Sequence, residues 1–268
     1  MALIVVTSAA GSPGVSTAAL GLAMAWPRPV VLIDADPTGS AAYQAGYFRG
    51  ADLGHDPTIL DLLVSHRDGT LGTDLPRMLM TIPETGVRFL PGLLSPAQSA
   101  SMKPVWGPVC PVLRTLSGSD VIVDAGRLGL TGSPIPLING ADLTVLTTRS
   151  TLPDIRAAAP WAEFLIESAA RVRGVEGHLG VLLVGAGRPY TAKEIERALS
   201  LPVVATLMHD PAAAAVLSHG EPRTRAARFG LTRRWERSSL ARSFTAAAST
   251  ICGVLDRSAM DLAGKDLS

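Results

Sequence analysis

The sequence predicts an α/β protein. One domain, residues 1–256, is expected to hold a mainly parallel sheet of seven or eight strands with helices on both faces, a layered sandwich. A tail, residues 257–268, is expected to be poorly ordered. Three observations lead there. Short β-branched runs alternate with longer helical patterns, as in doubly wound layer structures. Several of those runs are apolar at consecutive positions, as required when both faces of a parallel sheet are covered. Two of them end in carboxylates followed by turn residues, the place where such sheets bind ligands.

Taken in order, Leu3–Thr7 is an unbroken apolar run and the first strand. Helix Ser16–Trp26 follows it, stopped by Pro27 and Pro29, which cannot continue a helix. Val30–Asp34 is the second strand, and the turn Pro37-Thr38-Gly39 ends it. Ile59–His66 reads as a helix and Val87–Leu90 as a strand. The stretch Ser95–Gly118 resists assignment because Pro104, Pro108 and Pro111 interrupt any long helix. Val121–Asp124 and Leu143–Thr147 are further apolar strands, and Asp154–Arg171 is a long helix. Leu179–Val184, helix Ala192–Leu199, strand Val203–Leu207, helix Pro211–Ser218 and a last helix over about 238–255 complete the domain.

Bulk properties narrow the classes. A chain of 268 residues that is 47% hydrophobic buries a substantial core and is no disordered segment. A net charge of +1 provides no global attraction to nucleic acid or to anionic membrane. Cys110 and Cys252 form neither a disulfide nor a metal-ligand framework. Histidines 55, 66, 178, 209 and 219 lack metal spacing, and no Ser/His/Asp or Cys/His set suggests nucleophilic catalysis. No apolar run approaches the ~20 residues of a membrane span. The first residues run straight into a strand without a basic stretch, so no signal peptide and a cytoplasmic protein are expected.

The chemistry concentrates in two loops. Ala10-Gly11-Ser12-Pro13-Gly14-Val15-Ser16-Thr17 joins a strand to a helix and has the form of a phosphate cradle. Backbone N–H groups of Gly11, Ser12, Gly14, Val15, Ser16 and Thr17 would turn toward an anion at the helix N-terminus. Ser16 and Thr17 fall where hydroxyls reach Mg²⁺ and phosphate. No Lys or Arg occurs in residues 1–27, and Pro13 removes one donor. The second loop, Asp34-Ala35-Asp36-Pro37-Thr38-Gly39-Ser40, places two carboxylates at the end of a strand. Asp124 ends another. Ser16, Asp34 and Asp124 would hold Mg²⁺ through water, and Asp36 would orient an attacking water. Capping or turn formation explains any one of these acids, but not the pair in a single loop.

These residues resemble the ParA/MinD superfamily of deviant P-loop ATPases, which includes a TadZ/CpaE-type branch. The family's phosphate loop reads roughly K-G-G-x-G-K-S/T-S/T, followed by D-x-D-P-x-G-S and by an Asp that ends a hydrophobic strand. Ala141-Asp142-Leu143-Thr144-Val145-Leu146 and His209-Asp210-Pro211 match later segments more loosely. The resemblance runs from residue 3 to about 255 and implies a P-loop NTPase fold, ATP and Mg²⁺ as ligands, and a homodimer. It also implies a protein partner in a pilus, secretion, division or partition apparatus, which could recruit the chain to a pole or to the inner face of the membrane.

The departures bear on activity. Both lysines of the family's loop are absent: Ala10 and Val15 occupy their positions. Val184-Gly185-Ala186-Gly187 stands where the family reads the base with an asparagine. Losing one electrostatic contact to a transferring phosphoryl group commonly costs about 3–4 kcal/mol, so hydrolysis at an ordinary rate is not expected. Arg127, after Asp124, is the one nearby cation in sequence that could substitute, and a plain surface arginine is the favoured reading of it. Arg223, Arg225, Arg228, Arg233, Arg234, Arg237 and Arg242 offer a patch for nucleic acid, lipid or an acidic partner, with Trp235 and Phe244 as apolar anchors. A solvated helix face is the simpler reading, so nucleic acid is not the favoured partner. Three readings result: a positioning or scaffold protein with a degenerate nucleotide site, an active Mg-ATPase using a cation other than lysine, and a ligase of a related branch.

Overall fold

The computed structural model describes residues 1–10, 14–39, 41–50, 57–173, 179–219 and 235–265. β1 (Leu3–Ser8) leads into helix α1 (Val15–Met24), and β2 (Val30–Asp34) is followed by a π-helical turn, Ala42–Tyr47. Next come a short 3₁₀ turn and α2 (Leu62–Arg67), then α3 (Leu71–Met78), β3 (Met80–Thr81) and β4 (Arg88–Leu90). A 3₁₀ segment, Pro96–Met102, precedes α4 (Trp106–Arg114), β5 (Asp120–Arg127), α5 (Ile135–Gly140) and β6 (Leu143–Arg149). The chain closes with α6 (Leu152–Arg173), β7 (Leu179–Val184), α7 (Ala192–Leu199), β8 (Val203–Leu207), α8 (Pro211–Ser218) and α9 (Ser239–Lys265). No helix among the described residues is long and apolar enough to cross a membrane.

The eight strands form one sheet in the order β3-β4-β2-β5-β1-β6-β7-β8. Every pairing is parallel except β3 with β4, so the seven strands expected from sequence run together and the eighth is a two-residue antiparallel edge. Because side chains alternate along a strand, each central strand feeds two cores. Leu3 and Val5 of β1 pack with Val121 and Val123 on the α4–α7 face. Ile4 and Val6 pack with Leu32, Ile122 and Val145 beneath α1, α8 and α9. That is why the strands read as unbroken apolar runs.

Two contacts fix the helices that carry the site. Gly21 lets α1 approach α9 closely, since a Cβ there would lie 2.3 Å from the Phe244 ring. Phe244 is 2% exposed, so it is a core residue and not an apolar anchor beside the arginine-rich stretch. At the far end of the sheet, Asp120 accepts from Trp26 Nε1 at 2.9 Å and the Ala2 N–H at 2.8 Å, and pairs with Arg28 at 2.8 Å. The unassigned stretch holds a 3₁₀ segment and then α4, which carries Pro111 in its interior. Ser95 and Gln98 form a capping box for the 3₁₀ segment, and Pro108 falls in the first turn of α4, where its missing N–H has no intrahelical acceptor to lose. α9 runs through residues 256 and 257, where the sequence reading placed the start of a tail.

Candidate functional site

β1 stands between β5 and β6, and the chain leaves β1 toward β2 on one side and later crosses to β6 on the other. Loops therefore part above the C-terminal end of β1, which is where open α/β sheets form their ligand crevice. A cleft of about 790 Å³ lies there, within the usual range for small-molecule sites. Gly14, Val15, Ser16, Thr17 and Asp36 all line it. Gly11, Ser12 and Ser40, named from sequence, lie outside the described residues, as do Arg223, Arg225, Arg228, Arg233 and Arg234.

The floor is the start of α1. Gly14 adopts a left-handed backbone at φ 91°, which turns the chain into the helix, and no side chain caps the helix. The first turn holds no acidic residue. Its N–H groups and the positive end of the helix dipole are therefore directed at the cleft, a ready setting for an anion. Val15, at the position of the loop lysine, is 7% exposed and belongs to the α1 core cluster.

The carboxylates sit at graded depth. Asp34 and Asp124 are opposite each other in the β2–β5 ladder and are buried, at 1% and 0% exposure. Asp36 is half-buried and reaches the cleft. Its Oδ1 accepts from the Thr38 N–H and hydroxyl, both at 2.7 Å, and its own N–H donates to Asp34 Oδ1 at 3.1 Å. Asp124 Oδ1 accepts from the Gly126 N–H at 2.9 Å, and Oδ2 accepts from the Tyr43 hydroxyl at 2.9 Å. Burial pushes the Asp124 carboxyl up to about 6, with the Asp36 charge adding to the rise; Ser16, the Gly126 N–H and Tyr43 pull it back. Burial, and then the charges of Asp124 and Asp34, hold the Tyr43 phenol well above its ordinary value.

Two glycines make this packing possible. Gly126 has φ 60°, and a Cβ there would lie 2.4 Å from Asp36 Cγ. A Cβ on Gly92 would lie 2.5 Å from Asp34 Oδ2. Among the described residues no cluster of three or more His, Cys, Asp or Glu side chains is arranged to hold a metal by itself. The donors fit a cation that arrives with phosphate oxygens: the Ser16 hydroxyl hydrogen-bonds the Asp124 carboxylate, and these two with Asp34 are the groups that would hold such an ion.

The opposite wall was not legible in sequence. Leu207, Met208, Leu240 and Phe244 give it an apolar surface, and His209 borders it. Asp210 caps α8, accepting from the Ala213 N–H at 3.0 Å. Arg127 is exposed at the end of β5 and lines the cleft, and so does Arg149 at the end of β6, which the sequence reading did not single out. Tyr43 was also missed.

No family model matches the chain, and no curated protein is similar to it in sequence. Solved structures do match in shape. A ParA family ATPase from Chlorobium tepidum superposes with a TM-score of 0.68 at 17% identity, covering 92% of this chain and 99% of that one. The MinC:MinD cell division protein complex of Aquifex aeolicus gives 0.70 at 16% identity, covering 94% and 96%. The septum site-determining protein MinD of Pyrococcus horikoshii, complexed with Mg-ADP, gives 0.66 at 19% identity, covering 94% and 96%. With an eight-stranded, mostly parallel sheet between two helical layers and the loop-to-helix cleft at its C-terminal edge, this chain has the fold of the ParA/MinD P-loop ATPases.

Proposed function

We propose that this protein is a nucleotide-dependent positioning or scaffold factor that binds Mg-ATP and hydrolyses it very slowly or not at all. The observation that carries the reading is a contrast within one loop. The uncapped α1 N-terminus opens on a cleft beside Asp36, while Val15 turns into the core at the position where a lysine would face the phosphates. Binding groups are retained and the loop lysines that promote transfer are gone.

In this reading the N–H groups of Val15, Ser16 and Thr17 hold phosphate oxygens, and Gly14 turns the chain into the helix. The Ser16 hydroxyl, with Asp34 and Asp124 through water, would hold Mg²⁺. That ion, when bound, supplies charge neutralisation to the phosphates. Asp36, fixed by Thr38, orients a water at the cleft mouth. Neighbours of the same fold support the ligand: one is complexed with Mg-ADP, and a McdA variant from Cyanothece is an ATP complex. They also support the role, since they include cell division and plasmid partition proteins. A homodimer closed over nucleotide, and a protein partner in a TadZ-like pilus or a related secretion, division or partition apparatus, complete the proposal.

Light-scattering mass with and without Mg-ATP tests it. A shift from monomer to dimer that requires Mg-ATP and that Ser16→Ala abolishes is the expected result. A mass that ignores nucleotide contradicts the dimer, and steady turnover at a rate typical of partition ATPases contradicts the scaffold reading. Turnover of that kind would favour an active Mg-ATPase with a non-lysine cation.

A further inference from the structure

Both loop lysines are missing, so the charge of a bound polyphosphate has to be met from elsewhere in the fold. The sheet supplies the answer. β5 and β6 flank β1 on its two sides. Ser8, the last residue of β1, stands opposite Arg127 in the β1–β5 ladder and opposite Thr147 in the β1–β6 ladder. Side chains alternate, so Arg149 leaves β6 on the same face as Thr147, roughly 7 Å further along the strand toward the phosphate loop. Two guanidinium groups thus bracket the point where the loop begins, one from each neighbouring strand, and both line the cleft with Ser16 and Thr17. No ion pair among the described residues engages Arg127.

We propose that Arg127 and Arg149 are the polyphosphate-binding cations of this cleft, replacing the lysines at Ala10 and Val15 from the flanking strands. The proposal rests on the nucleotide reading above and names its phosphate-binding side chains. Arginine suits the task because its planar fork pairs with phosphate oxygens two at a time, and it stays charged at any relevant pH. Arg149 is half-buried and Arg127 exposed, so Arg149 works in the drier setting and carries the larger share. The pair recognises a triphosphate or diphosphate tail rather than the nucleoside.

The test is a competition assay with a fluorescent ATP analogue in the presence of Mg²⁺. ATP, AMP and inorganic tripolyphosphate compete for wild type, Arg149→Gln, Arg127→Gln, the double variant and Arg149→Lys. Arg171→Gln, on the exposed face of α6, checks for a general charge effect, and thermal melts confirm folding. Each single glutamine variant is expected to weaken ATP and tripolyphosphate by about tenfold or more, and the double variant further still, with AMP unchanged. Arg149→Lys recovers part of the loss. Wild-type binding that neither glutamine variant alters would overturn the arginine assignment and leave the nucleotide reading intact. Equal weakening of AMP and ATP also overturns it. A wild type that binds no nucleotide overturns both.

Discussion

The Tyr43 hydroxyl donates a 2.9 Å hydrogen bond to Asp124 Oδ2, joining the turn after β2 to the end of β5. The tyrosine ring is held by Phe89 of β4 at a centroid separation of 5.1 Å, and Phe48 stacks on Phe89 at 5.9 Å. A buried carboxylate beside the start of α1 is thereby fixed by the π-helical turn that follows β2.

Asp124 makes stability depend on pH in a definite direction. Its folded value of about 6 lies above the unfolded value of 3.8, so between those values the folded state binds the extra proton. Stability from this group is fully present below about pH 4 and is lost as pH rises through 6, by about 3 kcal/mol in all. Urea midpoints of wild type and Asp124→Asn, measured from pH 4 to 7.5, should therefore diverge, with the variant gaining relative stability at the higher pH. Tyr43→Phe removes a donor that favours the charged form, so it moves the transition to higher pH and costs about 1–2 kcal/mol near neutrality. Parallel curves for wild type and Asp124→Asn would refute this account of the buried carboxylate.

Gly126→Ala tests whether close packing on Asp36 matters beyond backbone strain. Gly69 provides the comparison, because its φ of 74° is similar and nothing lies within 4 Å of its Cβ position. Both alanine variants carry the left-handed penalty, about 1–2 kcal/mol. Gly126→Ala also drives a methyl into Asp36, so it should destabilise by a further 1–2 kcal/mol or so and lose nucleotide affinity, while Gly69→Ala keeps it. Equal effects of the two in urea melts and binding would show that Asp36 tolerates displacement.

The seat of α9 on α1 should be equally sensitive. Gly21→Val places branched carbon where the Phe244 ring sits and should cost about 2–3 kcal/mol by overpacking. Phe244→Ala leaves a cavity in the same place and should cost about 3–5 kcal/mol. In the double variant the valine partly fills that cavity, so the loss falls short of the sum. Strict additivity in chemical denaturation would contradict direct packing between the two sites.

Much of this architecture was legible because it rests on local pattern. Val30-Val31-Leu32-Ile33 is apolar on consecutive positions because both faces of β2 are buried, and the strand could be placed to the residue. β3 was invisible: Met80–Thr81 is two residues long and defined only by its partner β4. α4 was obscured by Pro108, which fits the first turn once the helix start is known, and by Pro111, which lies inside the helix and costs it one backbone donor. In the site, Asp34 and Asp36 stood out because two carboxylates share one loop. Tyr43 did not, since its partner is 81 residues away. Arg149 escaped notice because its nearness to the end of β1 follows from the sheet order, in which β6 lies beside β1.

Calorimetric titration of wild type and Asp36→Ala with Mg-ATP, with phosphate release followed in the same samples, tests the central claim most directly. The account predicts saturable binding by both proteins, because Asp36 orients water and does not hold phosphate, and no appreciable phosphate release from either over the binding timescale. Absence of binding at millimolar ATP would contradict the claim that the cleft is a nucleotide site, and rapid Asp36-dependent phosphate release would contradict the claim that the missing lysines have silenced it.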